Sequence, residues 1–318
     1  MNQSHHPHPV NAEQVEAVAR HIFPTQDTQV DRVLSGISTY VYRIISECKT
    51  YYLRILPDEE ASFTPEITVL ARLRQNHLNI PEVVYFEDYN ALLGRPIMVE
   101  AEIRGQSLSK SELPRETYES VAREAGRDLA CINKLAVEGF GWVKPDRAHP
   151  TRICGSRETY RAFVLEYREA DLAYLREHVL QRQECTRLEH VLARYDSWLD
   201  IEQGYLAHGD IDTTHIFQEQ GRYTGIIDFG EVRSANRWYD LAHFRIRDGA
   251  FPPYRLFQAL ERGYAEITPF PPEYEQYLRF TSVLINVRAL SRAFQTRDPD
   301  EYIWRQLEML HDDLLTLD

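Results

Sequence analysis

The sequence predicts an α+β protein in two parts: a small five-stranded antiparallel lobe with one helix over residues 1–102, then a larger, mainly α-helical lobe over 103–318. Two observations predict it. Residues 29–56, QVDRVLSGISTYVYRIISECKTYYLRIL, alternate β-branched and aromatic residues with polar ones and break at Ser35-Gly36 and near Cys48-Lys49-Thr50, the pattern of three consecutive strands. Beyond Gly105 the apolar residues recur at helical spacing over long stretches. A β-rich lobe joined directly to a helical one further predicts a cleft between them as the ligand site.

Taken in order, NAEQVEAVARHIF (11–23) opens on Asn with Gln three positions later and sets Val15, Val18 and Ile22 on one face, so a short helix leads in. After the three strands, TPEITVLARLRQ (64–75) offers Thr64 as N-cap, Pro65 at the first helical position and an apolar stripe at Ile67, Leu70 and Leu73. EVVYFEDY and LGRPIMVEAEI, around turn residues Asn90 and Gly94, supply two more strands. The second part reads as one helix over 115–137, two over 162–200, a strand-like break at 204–231 and further helices over 251–318.

Composition narrows the function. With 43% hydrophobic and 27% charged residues the chain is an ordinary globular protein, and a formal charge of −13 argues against general nucleic-acid binding. The four cysteines are scattered, with no CxxC pair, which predicts reduced thiols and a cytoplasmic location. No apolar stretch reaches the length of a membrane span, and MNQSHHPHPV lacks the apolar core of a signal peptide. His5, His6 and His8 in that stretch read as a polar terminus.

The chemistry concentrates in HGDIDTTHIF (208–217) and the following GIIDFGE (225–231). Zinc is disfavoured, since the segment has neither thiolates nor a helical HExxH face. A serine triad has no GxSxG elbow to organise it. A phosphotransfer loop fits: one Asp orients a hydroxyl, a side chain five positions on binds the cation, and a second Asp after a hairpin completes the site. Asp210, His215 and Asp228 follow that order, with Gly221 in the hairpin turn.

HGDIDTTHIF, GIIDFGEVRSANRWYDLA and the upstream VEAEIRG together resemble the aminoglycoside phosphotransferase and choline kinase-like family, in which HGDxxxxN, a strand-ending DxG and a WYDxA-like continuation recur. The resemblance runs from residue 29 to about 245 and implies a bilobal protein-kinase-like fold that uses ATP and Mg²⁺. Carried over by residue, it implies that Asp210 is the catalytic Asp, that Asp228 and His215 bind the metal, and that His208 braces the loop near the DFG turn. It implies phosphate contacts for Ser38 or Thr39 beside Gly36, a phosphate-pairing role for Arg54 held by Glu66, and a hinge where backbone groups around Glu100 and Ala101 meet adenine with Met98 nearby.

Two departures matter. His215 stands where the family has Asn, which weakens the case for ordinary Mg²⁺ and favours Mn²⁺ or a water-bridged ion; the macrolide phosphotransferase branch is similar in carrying His here. Arg54 stands in for a common Lys and brings a fork suited to phosphate. Only nine residues separate Gly230 from Asp240, too few for a peptide-docking activation loop, so the expected acceptor is a small-molecule hydroxyl: an aminoglycoside, a macrolide or a metabolite. Candidate acceptor contacts are Glu231, Asp248, Glu158, Glu166 and Glu169, the tyrosines 160, 254 and 274, and Arg279, Arg288 and Arg292; Asp240 is expected to fix the loop from below and Asp212 to take a surface or turn role. The rival readings are a nucleotide-binding pseudokinase, with His215 as the mark of lost catalysis, and a housekeeping kinase for homoserine-, choline- or fructosamine-like acceptors.

Overall fold

The computed structural model describes residues 10–34, 39–144, 151–250 and 253–318, so Ser35, Gly36, Ser38 and the N-terminal histidines lie outside the described residues. The chain divides into two compact units, the first running to Arg104 and the second holding Gly105–Lys144 and Ile153–Asp318.

In the first unit the alternating stretches become β1 (Gln29–Val33), β2 (Tyr40–Ser46), β3 (Lys49–Ile55), β4 (Val83–Asn90) and β5 (Arg95–Ala101), an all-antiparallel sheet in the order β1-β2-β3-β5-β4. The β2–β3 turn is tight, with Glu47 and Cys48 both left-handed (φ 51° and 58°), as a primed two-residue hairpin requires. Helix α1 (Ala12–Ile22), capped by Asn11, is more than a lead-in: Val15, Val18 and Ala19 pack on Tyr42, Ile44, Leu53, Ile55, Ile97 and Val99 of the sheet. Helix α2 (Thr64–Arg74) starts at Thr64 rather than being capped by it, because the Ser62 hydroxyl takes the Thr64 N–H at 3.1 Å.

The second unit contains β6 (Gln106–Ser107), α3 (Arg115–Ile132), β7 (Ala136–Val137), β8 (Phe140–Lys144), β9 (Cys154–Arg157), α4 (Tyr160–Leu165), α5 (Arg168–His178) and α6 (Arg182–Arg194). It continues with β10 (Gly204–Ala207), β11 (Ile216–Glu219), β12 (Arg222–Ile226), β13 (Arg233–Ala235), α7 (Tyr239–Arg247), α8 (Phe257–Ile267), α9 (Tyr274–Thr296) and α10 (Glu301–Leu317). Helix α3 stops at Ile132, short of the expected 137, because Asn133 caps it and β7 begins; 162–200 holds three helices rather than two.

The short strands form two sheets, β7-β10-β13-β8-β9 and β12-β11-β6, that flank the HGDIDTTHIF and GIIDFGE segments. Behind them, α5, α6, α9 and α10 bury Leu175, Leu188, Val191, Val283, Val287, Leu290, Leu307 and Leu310 in one apolar core. Helices α3 and α8 meet backbone to backbone: a Cβ on Gly126 would lie 2.0 Å from the Leu260 carbonyl oxygen, and one on Gly263 1.8 Å from that of Arg123. Among the described residues no helix is long and apolar enough to cross a membrane, and all four cysteines are free thiols.

Candidate active site

Strand β10 delivers the chain to His208 between two fixed points. The Asp240 carboxylate, in the first turn of α7 and fully buried, accepts the His208 N–H (2.8 Å) and the Asn133 amide (2.7 Å) on one oxygen and the Gly209 N–H (2.9 Å) on the other. A carboxylate at a helix start is doubly favoured there, by the dipole and by these donors. Gly209 sits at φ 90° with its Cα against the Glu231 carbonyl, where a Cβ would come within 2.0 Å of the oxygen, so only glycine lets the loop pass. Asp240 therefore holds the loop from below, as the sequence suggests.

The buried His208 ring joins the loop to the end of β12. Its Nε2 donates to the Ile227 carbonyl (3.0 Å) and its Nδ1 accepts the Asp210 N–H (3.3 Å), a pattern that only neutral imidazole satisfies. Burial, helped by the neighbouring His215, pushes its pKa below the ordinary histidine value, in keeping with that tautomer. Phe229 packs on the ring with centroids 4.7 Å apart.

Asp210 has its N–H held by His208 and its carbonyl held by His215 Nδ1 (2.7 Å), while its carboxylate stays 42% exposed. The β11–β12 hairpin, closed by Gln220 and Gly221 in left-handed conformations, pairs His215 with Ile227 and so brings His215 beside Asp228. His215 Nε2 lies 3.8 Å from an Asp228 oxygen. Asp228 leaves the strand at φ 65°, ψ 72°, a left-handed conformation that strains a non-glycine residue by about 1–3 kcal/mol and is typical of functional turns.

In the first unit Arg54, on β3, is buried between two carboxylates, bonded to Glu66 of α2 and 3.4 Å from Glu100 of β5, with Phe63 under its guanidinium. The expected Arg54–Glu66 pair is thus formed. Glu100 turns its side chain to that same Arg, and the Ala101 N–H is engaged by the Glu82 carbonyl (2.8 Å), so this amide is not presented for an adenine edge. Met98 is fully buried, and Thr39 stands half-buried just before β2.

The family model described as the phosphotransferase enzyme family matches residues 29–278. The chain belongs to the phosphotransferase enzyme family. Among curated protein sequences none matches it. Solved structures with the same fold include aminoglycoside phosphotransferase APH(4)-Ia, at 18% identity over 96% of this chain and 99% of that one (TM-score 0.69). A thermostable mutant of that enzyme in ternary complex with ADP and hygromycin B aligns at 17% identity over 95% and 98% of the two chains (TM-score 0.69). Macrolide 2'-phosphotransferase MphH from Brachybacterium faecium aligns at 16% identity over 94% and 98% (TM-score 0.63).

For a phosphotransferase the question is what holds a cation. Because the Asp210 carbonyl can only accept, His215 Nδ1 carries the hydrogen, so Nε2 is the ring atom that faces Asp228 and that a neutral ring would offer to a cation. Two acceptors facing each other suit a cation between them, so His215 and Asp228 fit a divalent ion. Among the described residues no group of three or more His, Cys, Asp or Glu side chains is gathered to hold a metal, so a cation held by His215 and Asp228 would need its other ligands from phosphate oxygens or water.

Several expected acceptor contacts are otherwise engaged. Asp212, expected at the surface or in a turn, takes the turn role and is buried in it: 2% exposed, it accepts the Thr214 N–H and hydroxyl on one oxygen and Arg247 on the other. Burial would raise its pKa, but His215, Arg247 and Thr214 outweigh that and hold it below the usual carboxylate range. Arg279 and Arg288 are paired with the buried Asp313 and Asp171, Tyr160 and Tyr274 are buried, and Asp248 staples the Leu256 N–H. Glu231 does face the site: burial raises its pKa, Arg233 counters this, and Asp210 and Asp228 add to the rise.

Sequence reasoning missed two residues. Arg233 of β13 bonds Glu231 and the Tyr239 hydroxyl and stacks on Trp142 at 4.1 Å. His243 of α7 lies against Asp210; its spacing three residues after Asp240, one turn along the same helix, was the available signal.

Proposed function

We propose that this phosphotransferase-family chain transfers the γ-phosphoryl group of ATP to a hydroxyl of a small molecule, with Asp210 orienting that hydroxyl. The observation that carries the reading is the contrast at Asp210: backbone pinned on both sides, carboxylate half-exposed. Phosphoryl transfer through a loose transition state asks mainly for positioning, and a rigidly mounted carboxylate supplies it. A divalent cation held by Asp228 and His215 would neutralise charge building on the phosphate oxygens. In the first unit, Arg54 braced by Glu66 would pair with phosphate, and Ser38 or Thr39 would donate to it.

The small size of the acceptor is supported by the stretch after Asp228, where a single 3-10 turn, β13 and the start of α7 leave no peptide-docking segment. The structural neighbour complexed with ADP and hygromycin B supports an antibiotic-like acceptor, and an acidic chain with free thiols suits a cytoplasmic enzyme that does not act on nucleic acid. The test is phosphate transfer from ATP, with Mg²⁺ or Mn²⁺, to hygromycin B, other aminoglycosides, macrolides and metabolite alcohols. Asp210→Asn abolishes transfer while nucleotide still binds, and Asp228→Ala weakens metal-nucleotide binding. Undiminished transfer by Asp210→Asn refutes the assignment.

A further inference from the structure

Building on the catalytic role proposed for Asp210, we infer that His243 is its proton-accepting partner, taking through Asp210 the proton that the acceptor hydroxyl gives up. His243 Nδ1 lies 3.2 Å from the Ile211 carbonyl oxygen, which can only accept, so Nδ1 carries the hydrogen and Nε2 keeps its lone pair. That Nε2 points at the Asp210 carboxylate, 3.5 Å from Oδ1. Two acceptors aimed at each other across this gap are reconciled by one proton, the one the reaction releases.

The chemistry gives the pair a purpose. The acceptor O–H bond breaks as its oxygen bonds the γ-phosphorus and the bond from that phosphorus to the leaving ADP oxygen breaks. The proton passes by way of the Asp210 oxygen to Nε2, leaving an imidazolium beside a carboxylate; it returns to solvent after the product leaves. A carboxylate is a weak terminal base at neutral pH, whereas an imidazole is matched to it. The ring is 14% exposed, so it rests behind the half-exposed Asp210 rather than in front of it. Burial holds it below the ordinary histidine pKa, Asp210 pulls the other way, and Arg247 and Arg233 add to the lowering; the Tyr239 ring stacks parallel to it at 6.5 Å.

A purely structural His243 would do no more than staple α7 to Ile211, and His243→Asn separates the two roles, since its amide N–H can still reach that carbonyl while nothing replaces Nε2. Two measurements on the full chain decide. In ¹⁵N-histidine-labelled protein at pH 7.5, long-range ¹H–¹⁵N spectra, with His243 assigned by its loss in His243→Asn, show a neutral ring protonated on Nδ1 alone. Asp210→Asn then moves its protonation midpoint to lower pH. With water as acceptor, ATP hydrolysis by His243→Asn falls at least about tenfold in kcat with KM for ATP unchanged. A ring protonated on Nε2, a midpoint indifferent to Asp210→Asn, or an unchanged kcat overturns the inference. Equal hydrolysis by Asp210→Asn would instead place the failure in the catalytic role of Asp210.

Discussion

Asp240→Asn isolates the anchor beneath the loop that carries Asp210. The native carboxylate accepts three buried hydrogen bonds, two on one oxygen and one on the other. The better amide orientation keeps its carbonyl toward His208 and Asn133 and turns its NH₂ on the Gly209 N–H, donor against donor. Two buried donors, the Gly209 N–H and the new NH₂, are orphaned at about 1–3 kcal/mol each, and the two surviving bonds lose their charge assistance, about 1 kcal/mol in total. The expected destabilisation is therefore about 3–7 kcal/mol. The assay is urea unfolding of wild type and variant at equal m-value, together with amide exchange at His208 and Gly209 and the phosphotransfer rate. The expected result is a lower midpoint, faster exchange at those two amides and a reduced kcat. Unchanged exchange at Gly209 would refute the argument, because it would mean that the carboxylate does not hold that N–H.

Arg54→Met should destabilise the first unit by about 3–5 kcal/mol, since it removes the buried cation that Glu66 and Glu100 share; thermal melting checks it, and Glu66→Gln should raise the KM for ATP with a smaller stability loss. His215→Asn should shift the cation preference from Mn²⁺ toward Mg²⁺, read as ATP-dependent thermal stabilisation in each metal, and chelation should remove it in both proteins. Gly126→Ala should cost about 1–3 kcal/mol, because its Cβ would meet the Leu260 carbonyl oxygen at 2.0 Å and force α3 from α8. For His243, whose folded pKa is depressed, the unfolded chain binds more protons below its unperturbed value of about 6.5, so stability falls as pH drops through that value; His243→Asn flattens this fall in melting curves taken between pH 7.5 and 5.5.

The first unit was legible because its strands are seven or eight residues long, apart from β1, with β2 and β4 alternating in burial and β3 and β5 carrying continuous apolar runs between turn residues. The sheet that carries β10 and β13 was legible only at β10, inside the strand-like break at 204–231: its strands run two to five residues, too short for a period to register, and they are held by partners distant in sequence. In the site, the order Asp210, His215, Asp228 was readable because hairpin geometry fixes it. Asp212 takes the turn role of the two it was given, but its burial against Arg247 was not foreseen, and His243 was missed, because both depend on contacts that arise when α7 packs against the loop.

His215 gains its meaning from that geometry. At this position a side chain must do two things at once: donate to the Asp210 carbonyl, and present a lone pair beside Asp228. An asparagine meets both demands with its NH₂ and its carbonyl oxygen; a histidine meets them with Nδ1–H and Nε2, provided that the tautomer is fixed. Here the Asp210 carbonyl fixes it, so the same bond that orders the proposed metal ligand also orders the peptide of the proposed catalytic Asp. The exchange of Asn for His therefore keeps the link between the two residues and changes the ligand atom from oxygen to nitrogen. A chain that had merely lost catalysis would have no reason to keep both halves of that arrangement, which favours an active enzyme with an altered cation preference over a pseudokinase.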